Sequence, residues 1–284
     1  MKYKVSVIVP TLNNVDGLSY LLNYFLKKNN LQLIIVDNNP NIVKFRKQIN
    51  WDLEFKDQKR FKNVVYLPQR KNLGFAGAVN LGAKYAEANW LLFLNDDVRF
   101  DSNQLKSNFD KDPIEALIYN AQVNKLDVAS PILINPDGNV ENFGYQVLPF
   151  GKVKLFKSLD EYNENVIDGL TAACLLIRKK VFEKLGGFDE KFFAYLEDVD
   201  LFLTIKEAGF RFGLFPQIAV FHYHQKTSST MGFFKEKQDL INWWRLALKH
   251  RRFFKFNFKF FIERLRNLSG LFKAILKTFF TKKT

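Results

Sequence analysis

The sequence predicts an α/β fold: a mostly parallel sheet flanked by helices, followed by a basic, amphipathic helical tail. Three observations predict it. Four short apolar runs, at Val5–Val9, Leu33–Val36, Val64–Leu67 and Trp90–Leu94, have strand length and end at turn-forming or polar residues. Stretches able to form helices separate them at βαβ spacing. Charge is confined: Lys249–Thr284 carries eleven Lys or Arg against one acid, Glu263, and so holds +10 of the net +14.

In order, Val5–Val9 is a β-branched run ending at Pro10, with Thr11, Asn13 and Asn14 beyond it. Asp16 can cap a helix over about 17–28. Leu33–Val36 runs into Asp37, and Asn38, Asn39 and Pro40 make a turn. A helical or irregular stretch reaches about Lys62 before the third strand. Arg70, Asn72 and the run GFAGA lead into a helix bearing Asn80 and Gly82. Trp90–Leu94 then delivers Asn95, Asp96 and Asp97. Further on, Asp127–Ile134 and Val140–Tyr145 flank Asn-Pro-Asp-Gly, which predicts a hairpin. Phe150–Phe156 reads as a further strand, and Asp168–Arg178 is small and apolar. Lys179–Leu185 is a short helix closed by Gly186 and Gly187. FDEKFFAYLEDVD opens a helix to Ala208, and Phe210–Phe215 and Ala219–Phe221 are short strands before His222 and His224.

Composition narrows the function classes. With 47% hydrophobic residues, the 284-residue chain can bury a large core. One cysteine, Cys174, allows no intramolecular disulfide; it fits a reducing compartment and a core position beside Ala173 and Leu175. No run of about 18 apolar residues predicts a membrane span, and the N-terminus does not read as a signal peptide. The basicity belongs to the tail, so nucleic-acid binding is not expected.

Chemistry is expected where strands end, because open α/β sheets bind ligands beyond their carboxyl edges. Asp96 and Asp97 can hold a hard divalent cation against a phosphate, although an acidic turn has the same residues. Asp37 suits a base or a ribose as well as it suits a plain turn. The glycines of GFAGA allow close backbone approach, or simply close helix packing. Glu197, Asp198 and Asp200 complement a helix N-terminus, and the apolar Phe192, Phe193, Tyr195 and Leu196 around them would raise a carboxylate pKa towards that of a general base. His222 and His224 share a face if extended. The turn after the first strand, PTLNN, lacks a dinucleotide fingerprint, and no Walker A loop, Ser-His-Asp set or paired CxxC occurs.

Taken together, VSVIVPTLNN, LIIVDNN, NLGFAGAVNLG, LLFLNDDV, DGLTAACLLIRKKVFEKLGGFDEKFFAYLEDVDL and VFHYH resemble, in this order over residues 3–230, the family 2 glycosyltransferases, and most of all their rhamnosyltransferase-like branch. The resemblance implies a GT-A fold with a mixed, mostly parallel sheet: a nucleotide-binding half over 1–100, an acceptor half over 101–235, and a helical extension over 236–284. It implies a metal-dependent inverting transfer, with Mg²⁺ or Mn²⁺, from a nucleoside diphosphate sugar of dTDP-rhamnose or UDP-hexose type to a polyprenyl-linked or growing bacterial surface glycan. Pro10, Thr11, Asn13, Asp37, Arg70, Asn72, Gly74, Phe75, Ala76, Asn95 and Asp96 would bind the donor. Asp97, with Asp96 and either His222 or His224, would hold the metal. Asp198, paired with Glu197, would be the base, and Phe193, Tyr195 and Gly169 would lie on the acceptor side. Asn95 stands where the usual Asp-x-Asp begins with a carboxylate, which leaves the identity of the metal open. A non-catalytic nucleotide-sugar-binding or scaffold role in the same pathway is the alternative. A nucleotidyl- or phosphoryl-transfer role finds no triphosphate loop.

In the tail, Phe254, Phe258, Phe261, Leu265, Leu268, Phe272, Ile275 and Phe279 recur at helical spacing, with Lys255, Lys259, Arg266, Lys273 and Lys277 between them. Such a helix can lie in an anionic bilayer surface. It can equally pack its apolar face on the domain. The first arrangement places the protein at the cytoplasmic face of a bacterial membrane.

Overall fold

The computed structural model describes residues 2–41, 62–100, 112–163, 165–223 and 233–281. The stretch before Lys62 and His224 lie outside the described residues.

Ten strands and seven helices are described. The strands are β1 (Val5–Thr11), β2 (Leu31–Asp37), β3 (Val64–Pro68), β4 (Trp90–Leu94), β5 (Val98–Arg99), β6 (Val128–Ile134), β7 (Tyr145–Leu148), β8 (Lys152–Leu155), β9 (Cys174–Arg178) and β10 (Phe212–His222). The helices are α1 (Val15–Phe25), α2 (Gly74–Lys84), α3 (Pro113–Val123), α4 (Lys179–Lys184), α5 (Glu197–Glu207), α6 (Phe234–Lys249) and α7 (Phe258–Thr281).

Eight strands form one sheet in the order β3-β2-β1-β4-β9-β6-β10-β5, and β7 and β8 form a separate ribbon. The pairs β3-β2, β2-β1, β1-β4 and β6-β10 are parallel. Strand β9 runs antiparallel to both β4 and β6, and β5 runs antiparallel to β10. The sheet is therefore mixed, as the resemblance implies.

Central strands of such a sheet are buried on both faces, so they read as unbroken apolar runs. All seven residues of β2 and all five of β4 are buried. Alternation still sorts the side chains between faces. Val5, Val7 and Val9 meet α1 and α3 through Leu18, Leu22, Phe25 and Leu117. Ile8, Phe93 and Leu175 face the other way, onto α2, α4 and α5 through Val79, Phe182 and Phe202. Gly82 lets α2 lie directly on β1, since a Cβ there would stand 2.5 Å from Ile8 Cγ2.

Several expectations need correction. Asn14 rather than Asp16 caps α1, its Oδ1 accepting from the Gly17 amide at 2.8 Å. The Asn-Pro-Asp-Gly turn closes only one bridge, Ile134–Val140, and Tyr145–Leu148 pairs instead with Lys152–Leu155. The two short strands after Phe210 are one strand, β10, whose register against β6 shifts between Phe215 and Ala219, around Pro216. Proline cannot donate to a ladder, so an irregularity there is expected. Within the small, apolar 168–178, Cys174–Arg178 forms β9.

The C-terminal helices begin as part of the body. A third core joins Tyr145 and Val147, Phe192, Val199 and Leu203 to Trp243, Leu246, Phe254 and Phe260. The division expected at 235/236 falls inside α6. Along α7, Phe260 and Arg264 are buried, while Phe258, Phe261, Leu265, Leu268 and Phe272 are exposed. Among the described residues, no helix is long and apolar enough to cross a membrane.

Candidate active site

A cleft of about 380 Å³ opens at the carboxyl ends of β1 and β4 and reaches the start of α5 and the end of β10. Of the expected donor residues, Pro10, Thr11, Asn72, Gly74, Phe75, Asn95 and Asp96 line it, and so do Asp97, His222, Phe193, Tyr195 and Glu197.

Its floor is the turn after β4. Asp96 has both carboxylate oxygens engaged: Thr11 Oγ1 donates to Oδ2 at 2.6 Å and Asn14 Nδ2 to Oδ1 at 2.9 Å. Burial pushes its pKa up to about 6 against the pull of these two bonds. Asp96 thus ties the end of β1 to the end of β4.

Asp97 turns the other way. The β5–β10 pairing sets His222 beside Val98, which brings His222 Nε2 within 3.1 Å of Asp97 Oδ1. On its far side, His222 Nδ1 lies 3.0 Å from Glu141 Oε1. Burial lowers the His222 pKa, but the two carboxylates outweigh it and raise it to about 9. A carboxylate and an imidazole face to face are donors that Mg²⁺ or Mn²⁺ accepts. Among the described residues, no third His, Cys, Asp or Glu completes a cluster. Asp97 and His222 could together hold such a cation.

The opposite wall is the turn into α5. Tyr195 and Leu196 both have φ of +65°, an unfavourable region for residues with side chains. This strained turn presents Glu197 to the cleft, with Oε2 buried and without a hydrogen-bond partner among the described residues. Burial raises the pKa of both Glu197 and Asp198, Glu197 the further. Backbone N–H groups of Val199 and Ala172 partly offset the rise at Asp198. Asp198 stands behind the wall, its Oδ1 accepting from the Val199 amide at 2.8 Å.

Two buried contacts hold this wall. Asn242, on α6 and fully buried, donates through Nδ2 to the carbonyls of Ala194 (2.9 Å) and Tyr195 (2.8 Å). Gly74 has φ of +71°, and a Cβ there would stand 2.2 Å from the Phe193 carbonyl oxygen. The Phe75 amide donates to that same oxygen at 3.3 Å. Asn242→Leu would leave two buried carbonyls short of a donor, so we expect a loss of about 2–4 kcal/mol in urea unfolding. Among molecules that remain folded, kcat should fall more than KM rises.

Other expected residues lie off the cleft. Asp37 is fully buried, accepting from the Tyr66 hydroxyl (2.5 Å) and the Asn39 amide (2.9 Å). Asn13, at φ +63°, accepts from Asn39 Nδ2 at 2.6 Å. Arg70 is exposed and Ala76 is buried in α2. Gly169 packs on Tyr145 and Phe202, where a Cβ would meet the Tyr145 hydroxyl at 2.4 Å. Conversely, Asn14, Asn38, Ala194 and Phe234 line the cleft without having been singled out as donor or acceptor residues. Asn38 reaches it by bonding the Leu73 amide and the Gly74 carbonyl. Glu141 and Asn242 carry no local signal, since each acts on residues 47 or more positions away.

Comparison with known proteins bears on the family and the fold. The model of the family described as "Glycosyl transferase family 2" matches residues 6–186. The N-acetylglucosaminyl-diphospho-decaprenol L-rhamnosyltransferase of Mycobacterium tuberculosis is 26% identical over 232 residues, covering 67% of this chain and 72% of that protein. The O-antigen biosynthesis protein RfbC of Myxococcus xanthus is 26% identical over 250 residues; the match takes in 78% of this chain but only 17% of that longer protein. Among solved structures, the Pyrobaculum calidifontis mannosyltransferase PcManGT, in complex with GDP-Man and Mn²⁺, superposes with a TM-score of 0.59 at 13% identity, covering 98% of this chain and 75% of that one. The eight-stranded mixed sheet with its flanking helices is thus the GT-A architecture.

Proposed function

The chain belongs to glycosyl transferase family 2, and on that premise we propose that it transfers a sugar, with inversion, from a nucleoside diphosphate sugar of dTDP-rhamnose or UDP-hexose type to a lipid-linked or growing surface glycan. The observation that carries this reading is the placement of Asp97 with His222 on one wall of the cleft and Glu197 on another. The rhamnosyltransferase relatives support the donor and acceptor classes.

The residues divide the work. Asn72, Asn38 and the Gly74–Phe75 backbone bound the donor side of the cleft. Asp97 and His222 would hold the cation at the diphosphate. When bound, Mg²⁺ or Mn²⁺ supplies Lewis-acid neutralisation of charge on the leaving diphosphate. The Glu197–Asp198 pair takes the acceptor hydroxyl's proton as the oxygen attacks from the opposite side. A single displacement inverts the anomeric centre without a protein nucleophile. A nucleotide-release assay over UDP-, dTDP- and GDP-sugars, with Mg²⁺ or Mn²⁺ and a lipid-linked acceptor, tests this. Release from one donor class is expected. Donor binding without release from any would favour the scaffold role instead.

Membrane association through the tail belongs to the same reading, at the face where lipid-linked acceptors are presented. Deleting 251–284 would also remove the buried Phe254 and Phe260, so charge reversal is the cleaner probe. Lys273→Glu with Lys277→Glu should weaken sedimentation with anionic liposomes by roughly tenfold. Unchanged sedimentation would count against the tail as the membrane contact.

A further inference from the structure

We propose that the groove between α6 and α7 seats an acyl chain of an anionic membrane phospholipid. The proposal rests on the membrane reading above and adds to it a lipid class and a binding site. The groove has a volume of about 530 Å³, and its apolar wall is Leu240, Ile241, Trp244, Phe261, Leu265 and Leu268. That volume is in the ~300–1,000 Å³ range of sites that enclose small ligands.

The groove continues into an open apolar stripe. Phe258 is 82% exposed, Leu265 63% and Phe272 62%. Contiguous exposed apolar surface on a folded protein marks a contact site. Charge identifies the occupant. Lys255, Lys259, Arg266, Lys273 and Lys277 are exposed beside the stripe, with Glu263 the only acid in α7. The single charged residue of the groove wall is also a cation, Arg264. It is 5% exposed and stacked on Trp243 and Phe260. It donates through Nη2 to the Gly151 carbonyl, but its Nε and Nη1 have no hydrogen-bond partner among the described residues. The exposed basic row beside the stripe favours a negatively charged headgroup over a zwitterionic one.

The site also has a bearing on the cleft. Helix α6 supplies Leu240, Ile241 and Trp244 to the groove, Asn242 to the strained turn and Phe234 to the cleft wall. A lipid in the groove would therefore rest on the helix that holds the base-bearing turn.

The test uses the full chain with vesicles of phosphatidylcholine alone or mixed with phosphatidylglycerol, the latter with plain or acyl-brominated chains. We expect partition into the mixed vesicles only, with tryptophan quenching by brominated chains that drops sharply in Trp244→Phe. Leu265→Asp with Leu268→Asp should reduce partition roughly tenfold or more, with circular dichroism unchanged. Partition without quenching of Trp244 would overturn the groove as the seat while leaving the membrane reading intact. No partition into either vesicle would overturn both. Equal partition into both would overturn the anionic selectivity. None of these results touches the transfer reading, which nucleotide release tests separately.

Discussion

Asp198→Asn is expected to lower kcat by about 10²–10⁴-fold while the donor binds as before. The two carboxylates at the head of α5 are both buried, which raises both pKa values, but unequally. Glu197 has an Oε2 without a hydrogen-bond partner among the described residues. Asp198 accepts from backbone N–H groups that favour its ionised form. Burial thus lifts both carboxyls above the ordinary carboxylate range, which suits the pair to accept a proton. Asparagine keeps the size of the Asp198 side chain but cannot take a proton. Because the base works only when ionised and its pKa lies above the usual 3.8, activity should fail on acidification at a higher pH than an ordinary carboxylate would dictate. Nucleotide release across pH, with calorimetry of donor binding, checks both points. Wild-type turnover in Asp198→Asn, or loss of donor binding, would remove Asp198 from the role.

Asp97→Asn should weaken Mn²⁺ binding by roughly 100-fold or more, since it removes the carboxylate of a two-residue donor set. Paramagnetic resonance of free Mn²⁺ reads this directly, apart from turnover. The same pair predicts a pH dependence. Held between Asp97 and Glu141, His222 keeps its proton up to about pH 9. A cation must displace that proton, so affinity should rise as pH rises from 6 towards 9. The slope should shrink in His222→Gln, which has no proton to lose. A flat affinity profile in the wild type would show that His222 does not share the ion's site.

Much of the sheet was legible in the sequence because parallel strands buried on both faces must be apolar throughout. Val5–Val9, Leu33–Val36 and Trp90–Leu94 are runs of that kind, and their polar ends mark the sheet's ligand-binding edge. What was less legible depends on distant partners. Strand β9 enters between β4 and β6 in the opposite direction, and its own residues, CLLIR, would read the same in either orientation. The cap of α1 went to Asn14 because that side chain also bonds Asp96, 82 residues away. Pro216 made one bulged strand look like two. The motifs pointed to the edge of the sheet at which the cleft opens, but motif membership did not separate wall from support. Asp37 and Gly169 sit under the surface, whereas Asn38 and Phe234 form it. Asn242 was out of reach altogether: in sequence it is an unremarked polar residue in a helix, and only the fold sets it beneath the strained turn.

The contact between Gly74 and the Phe193 carbonyl fixes the gauge of the cleft. Two stretches of main chain meet there, one from the head of α2 and one from the approach to α5, with no side chain between them to trim or lengthen. Jaws that close backbone to backbone have a single working aperture. Selection for a different sugar would have to leave that seam alone and act on the side chains beside it, Asn72 and Phe75 on one lip and Tyr195 and Phe234 on the other. Chains of this fold that handle bulkier donors should differ at those four positions and retain glycine at the seam.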